Sequence, residues 1–316
     1  MNKNKAFTLV ELVIVTVLIG ILVSMSLDFT MFTIDSYLDT RNCAELSARL
    51  DSVVRNLRWD LKKALPNSVR ITKVDANNYF LEMVEILDVA VYDSSDLAVE
   101  SNTQVLNLHS NAESNTVSIC TVGSNACRAI INNEPSAAGT GYSIYQYDNT
   151  AGNGNVMTKS IDVSLSDVNT LNIASPGYDF KSLSSTKRVY IVKESPAITY
   201  HCYYDSANTE AGAKNSKITK YWDYQIQDTQ PTSVNAIPLR TASSAVMVEG
   251  VSACDFGYVE ALELSTVGYG YGIVTVALEV ANRPSSKGVS YSDQIAVSNL
   301  DIPYIVKTEQ VIYASQ

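Results

Sequence analysis

Glu11 is the only charged residue in the 21-residue stretch from Phe7 to Leu27, and its chemistry is electrostatic. An apolar stretch of that length spans a bilayer core of about 30 Å as a helix. A carboxylate inside it costs about 2.5–3.5 kcal/mol near the membrane centre and less toward an end. A cation at the same depth is therefore its natural partner. Phe7 supplies one if the chain is cut after Ala6, because the new α-ammonium then lies in the same segment. Within one chain a helix holds Phe7 and Glu11 on one face. Between two staggered chains the ammonium of one neutralises Glu11 of the next, and the segment becomes an assembly device. Lys3 and Lys5, just upstream, keep the N-terminus in the cytoplasm and put the rest of the chain beyond the membrane.

Thiol chemistry comes second. Outside the cytoplasm disulfides form, so the five cysteines are candidates. Cys120 and Cys127 close a short loop around Gly123-Ser124-Asn125, and Cys202 and Cys254, both in strand-like runs, pair as an intersheet link. Cys43 is left over on the N-terminal helix, free or buried. Metal ligation has little support: there is no C-x-x-C, and His109 and His201 stand in separate segments. Neither histidine sits in a Ser-His-Asp frame and no G-x-S-x-G occurs, so no catalytic residue, cofactor or enzyme activity is expected. The Asp148–Asn155 stretch is rich in oxygen ligands but lacks the alternating acids of a calcium loop, and reads as a solvated loop. Tyr142-Ser143-Ile144-Tyr145-Gln146-Tyr147 and Tyr269-Gly270-Tyr271 offer stacking faces to a sugar or a surface, as in an adhesin. The plainer reading is strand and turn aromatics.

The elements that position these groups follow from pattern. Leu46, Leu50, Val53, Leu57, Leu61 and Ala64 recur at helical spacing, while Arg41, Glu45, Arg49, Arg55, Arg58, Asp60 and Lys62 fill the other faces. Pro66 disfavours helix at the residue before it and ends the run. A helix from Phe7 to Leu65 would be about 88 Å long. Its first half lies in a membrane or filament core; its second half offers a stripe to a sheet. Strands are expected at 68–74 and 79–84 as a hairpin around Asn77-Asn78, then at 188–193, 197–204, 217–225, 245–251, 254–260, 273–280 and 294–297. Ser- and Asn-rich residues 93–116 and 132–160 read as loop inserts. The fold class is α+β, one long helix on an antiparallel sheet. The organisation is a leader over 1–6, a membrane or filament-core helix over 7–27, an amphipathic continuation over 28–66 and an extracytoplasmic β-rich body over 67–316.

Charge argues against one class, a dedicated nucleic-acid binder. The formal charge is −10, and removal of Met1–Ala6 takes two lysines with it to give −12. A chain of that sign repels a phosphate backbone, so no nucleic acid is expected as partner.

Lys3-Asn4-Lys5-Ala6-Phe7-Thr8-Leu9-Val10-Glu11-Leu12 resembles the class III signal of type IV pilins and type II secretion pseudopilins. The resemblance implies a prepilin peptidase that cuts before Phe7 on the cytoplasmic side and methylates Phe7, leaving the helix in the inner membrane as a single pass. Ala6 stands where the family usually has Gly, and Asp28 stands where many members carry a kinking Pro. Arg58-Trp59-Asp60-Leu61-Lys62-Lys63-Ala64-Leu65-Pro66-Asn67-Ser68-Val69-Arg70 is similar to the helix exit of the O-protein family of MSHA (mannose-sensitive haemagglutinin) pilus biogenesis. Val248-Glu249-Gly250-Val251-Ser252-Ala253-Cys254-Asp255-Phe256-Gly257-Tyr258 is similar to the segment leading into that family's last sheet. J-type pseudopilins share the plan. The resemblance implies a minor pilin that joins other minor pilins and the major pilin, at the tip of a surface pilus, and primes or modulates its assembly. Two other readings of the N-terminus are an ordinary secretory signal cut after Ser24-Met25-Ser26 and an uncut single-pass anchor.

Overall fold

The computed structural model describes residues 8–92, 105–108, 114–121, 126–133, 143–146, 156–158, 163–173, 178, 180, 184, 187–205, 216–259, 271–280 and 289–298. The chain divides into two compact units, Met1–Ala48 and Arg49–Gln316. Helix α1 covers Leu9–Lys62. No proline interrupts it, and its hydroxyl residues bond their own backbone one turn back: Thr16 Oγ1 donates to the carbonyl of Val13 at 2.9 Å, and Thr30 Oγ1 to that of Ser26 at 2.7 Å. The helix stops three residues earlier than Pro66 alone predicts. Leu65 N donates to the Val84 carbonyl at 2.8 Å, and Ala64 bridges Glu85, so pairing with the sheet competes with the last helical turn.

The strands are β1 (Arg70–Asp75), β2 (Asn78–Val84), β3 (Asp88–Val91), β4 (Val105–Asn107), β5 (Cys127–Ile130), β6 (Val163–Asp167), β7 (Thr170–Ile173), β8 (Arg188–Lys193), β9 (Ala197–Tyr203), β10 (Lys217–Tyr224), β11 (Ser243–Glu249), β12 (Val251–Val259), β13 (Tyr271–Val280) and β14 (Val289–Ser298). A short helix, α2 (Ser114–Ile119), precedes β5. The main sheet runs β1-β2-β9-β10-β11, and three-stranded sheets run β12-β13-β14, β3-β8-β5 and β4-β7-β6. Every registered pairing is antiparallel. A long helix followed by an antiparallel body makes the α+β class.

Period-2 alternation assigns the two faces of the main sheet. One face carries Tyr79, Leu81, Met83, Ile198, Tyr200, Cys202 and Ile218, all buried. It meets the helix stripe Leu50, Val53, Leu57 and Leu61, each 3% exposed or less. Asp60 lies on this stripe, not on an outer face: it is 5% exposed, and its Oδ2 accepts from the Tyr200 hydroxyl and from Lys220 Nζ at 2.6 Å. Its position seven residues after Val53 and three after Leu57 puts it there by period.

The other face carries Asn78, Phe80, Glu82, Thr199, His201, Tyr203, Thr219 and Tyr221, and residues 225–242 fold over part of it. Arg70 clamps that segment, donating through Nη1 and Nη2 to the carbonyls of Asp228 and Gln227 at 2.8 Å each, while its Nε donates to Glu82 at 2.7 Å. Burial pushes the Glu82 carboxyl above the ordinary range, against the pull of the Arg70 guanidinium.

Part of each stretch read as a loop insert is ordered. Val105–Asn107 forms β4, and Leu106 is fully buried in the cluster of Tyr92, Leu171, Tyr178 and Phe180. Ile144–Gln146 forms a 3-10 turn with Ile144 and Tyr145 buried, beside Val156 and Met157. Short strands with one buried residue per two lie below the length at which periodicity declares itself in a Ser- and Asn-rich context.

Candidate functional site

The N-terminal helix is built from the cap upward. Thr8 occupies the N-cap position before Leu9, and Glu11 is the third residue of the helix. Thr8 N donates to Glu11 Oε2 at 3.1 Å, Thr8 Oγ1 donates to the same oxygen at 3.0 Å, and Glu11 N donates to Thr8 Oγ1 at 3.3 Å. This is a reciprocal capping box, which satisfies amide groups that the first turn leaves without helical partners. Sequence reasoning passed over Thr8, although Thr-x-x-Glu ahead of an apolar run is the signal for it.

Glu11 therefore accepts both hydrogen bonds from Thr8 on one oxygen. Oε2 is taken up by its own chain, and Oε1 has no hydrogen-bond partner among the described residues. From Thr8 to Leu27 every residue whose exposure is described is exposed. The helix is long and apolar enough to cross a membrane by length and composition, and none of its most apolar stretch is buried. An amphipathic soluble helix hides its apolar residues on one face; this one shows them all round, as a helix does when lipid or other helices surround it. Thr16, Ser24 and Thr30 return their hydroxyl donors to the backbone, the arrangement required where no water is at hand.

Lys3, Lys5, Ala6 and Phe7 lie outside the described residues, so the geometry of cut and ammonium is not part of this site. His109 and Asp148–Asn155 also lie outside them, as do Tyr142, Tyr147, Tyr269 and Gly270.

The cysteines stand as two bonded pairs and one thiol. Cys120 and Cys127 are disulfide-bonded with Cα atoms 5.4 Å apart, and Cys202 is bonded to Cys254 at 6.6 Å. The second bond ties β9 of the main sheet to β12 of another, beside the edge-to-face contact of Tyr79 and Phe256 at 6.5 Å. Cys43 is free and exposed. Among the described residues no group of three or more His, Cys, Asp or Glu side chains could hold a metal ion.

Tyr145 is not the surface aromatic that an adhesin stack would need. It is 2% exposed, its hydroxyl donates to the Ser68 carbonyl, and the Arg70 guanidinium lies 3.7 Å over its ring.

The family model described as the prokaryotic N-terminal methylation motif matches residues 1–27. That interval contains Lys3, Lys5, Ala6, Phe7, the Thr8–Glu11 cap and the exposed apolar helix. The match supports a type IV pilin-like or pseudopilin-like protein, implies processing by prepilin peptidase and assembly with other pilins, and fits membrane anchoring before assembly. No curated protein and no solved structure gives a significant match to the chain.

Proposed function

We propose that this chain is a minor pilin of an MSHA-like type IV pilus, inserted in the inner membrane with its N-terminus inside and its body in the periplasm, then assembled at the pilus tip. Residues 1–6 are the leader, with Lys3, Lys5 and Ala6 read by the prepilin peptidase. Residues 7–27 form the packing helix, 28–66 its amphipathic continuation and 67–316 the body. The Phe7 ammonium of one subunit neutralises Glu11 of its neighbour and so primes or modulates filament growth.

The observation that carries the reading is Glu11: a carboxylate at the head of an all-round apolar, exposed helix, with one oxygen engaged by Thr8 and the other without a partner among the described residues. A body of this size fits one copy at a tip better than one copy per subunit of a thin filament. A J-type pseudopilin would share the same N-terminal chemistry.

The test is a deletion strain complemented with wild type or Glu11→Ala. Loss of surface pili on deletion, restored by wild type but not by Glu11→Ala, is the expected result. Pili that persist after deletion contradict a priming role, and gold label along the whole shaft at major-pilin density contradicts the tip.

A further inference from the structure

The segment 225–242 leaves part of the main sheet's outer face uncovered. At the end where β2 and β10 begin and β9 finishes, a cleft of about 430 Å³ remains, inside the range of about 300–1,000 Å³ that small-molecule sites occupy. Register builds its floor from neighbouring rows: Asn78, Tyr203 and Lys217 in one, Phe80 and His201 in the next. Tyr221 continues the floor along β10, and Thr232, Ser233 and Val234 form a wall.

Four side chains give the cleft a chemical preference. His201 is fixed: its ring stacks on Phe80 with centroids 4.3 Å apart, and Nε2–H donates to Asn78 Oδ1 at 2.8 Å. Burial, helped by the Lys217 charge, lowers its pKa to about 4, so the ring is neutral near pH 7. Nδ1 then presents a lone pair that accepts no hydrogen bond among the described residues. Lys217 lines the same cleft; Glu249 stands opposite it in the β10–β11 register, yet no carboxylate among the described residues pairs with it. Tyr221 adds a ring and Ser233 an exposed hydroxyl.

A ligand for this set needs an anionic group for Lys217, a donor for the His201 lone pair and an apolar face for the tyrosine. Inorganic phosphate has no apolar face, and a simple aromatic acid has no hydroxyl donor. A sugar acid has all three. We propose that the cleft between β2, β9, β10 and residues 232–234 binds an acidic monosaccharide. Its carboxylate sits on the Lys217 ammonium, a hydroxyl donates to His201 Nδ1, and its ring face lies on Tyr221. The site is independent of the pilin reading and stands or falls separately from it.

The experiment is ligand-observed saturation-transfer NMR on the full chain in detergent micelles, with D-glucuronate as probe and D-glucose as neutral control. Saturable glucuronate binding with a dissociation constant of about 1 mM is expected, with glucose and the Lys217→Gln variant each about tenfold weaker. His201→Phe, which keeps the ring stack and removes the acceptor, weakens binding as well. Lys217 forms no ion pair among the described residues, so Lys217→Gln leaves the fold intact, checked by near-UV circular dichroism. Absence of saturable binding, equal binding of glucose, or binding indifferent to Lys217→Gln would each overturn the assignment.

Discussion

The Tyr200 hydroxyl lies 2.5 Å from Oδ2 of Asp60, and the Lys220 ammonium lies 2.6 Å from the same oxygen. One carboxylate on α1 thus joins two neighbouring strands, β9 and β10, inside an otherwise apolar contact. Burial, with the Asp60 charge beside it, holds the Tyr200 phenol protonated well above its ordinary range. The arrangement fixes the rotation of the helix on the sheet, because a turn about its axis would strand a buried charge.

Removing the carboxylate leaves the ammonium of Lys220 and the hydroxyl of Tyr200 in a site 5–7% exposed at Asp60. Asp60→Ala is expected to destabilise the body by about 3 kcal/mol, the lower end for a broken buried pair because Lys220 keeps some solvent. Asp60→Asn retains an acceptor and costs about half as much. Urea unfolding of the detergent-solubilised chain measures both, and an Asp60→Ala loss below about 0.5 kcal/mol would show the network to be incidental.

His201 makes stability depend on pH. Its folded pKa, about 4, lies below the ordinary 6.5, so the unfolded chain takes up the proton first. The contribution is fully present above pH 6.5 and is lost as pH falls toward 4, by about 2–3 kcal/mol over the window. Glu82 acts with the opposite sign, since its raised pKa favours the folded state as pH falls toward its ordinary 4.5. The difference between wild type and His201→Phe isolates the histidine. That difference should grow as pH drops from 6.5 to 4; a flat difference contradicts the burial of a neutral ring.

The two disulfides should differ in worth. Cys202–Cys254 spans 52 residues of sequence and Cys120–Cys127 spans 7. On chain-entropy grounds, replacing the first pair with alanine costs about 4 kcal/mol and the second about 2.4 kcal/mol. Thermal melts of the two double variants give the order. A larger loss from the Cys120–Cys127 pair would show that local packing, rather than closure of the chain, sets their contribution.

Gly250 joins β11 to β12, passing the chain from the main sheet to a second one. It holds φ at 79°, in the left-handed region, while its N–H donates to the Ser216 carbonyl at 2.9 Å. Gly250→Ala should therefore cost about 1 kcal/mol or more. An unchanged melting temperature would mean that the joint relaxes at no expense.

Much of this molecule was legible before its structure. The helix, the hairpin around Asn77-Asn78 and the strand at Arg188–Lys193 announce themselves locally, through an unbroken apolar run and a helical stripe, turn residues, and a β-branched run with four buried residues in a row. Asp60 was misplaced, since a charge within a stripe reads as surface until its partners are known; Tyr200 and Lys220 lie 140 and 160 residues further along the chain. Tyr145 stands in a turn, as the plainer reading of its tyrosines has it, but its burial has no local sign in Ser-, Asn- and Gly-rich surroundings: Arg70 and Ser68 hold it in the core. Long-range polar contacts leave no local pattern. The cleft at His201 is of this kind, assembled by register across three strands.

The central claim is that the chain enters an assembly through a cut before Phe7. The most direct measurement is the intact mass and first residue of the chain isolated from membranes. A chain that starts at N-methylated Phe7 is the predicted result. A chain that starts at Leu27, or retains Met1–Ala6, contradicts the account: the ammonium partner of Glu11 would then be missing from its helix.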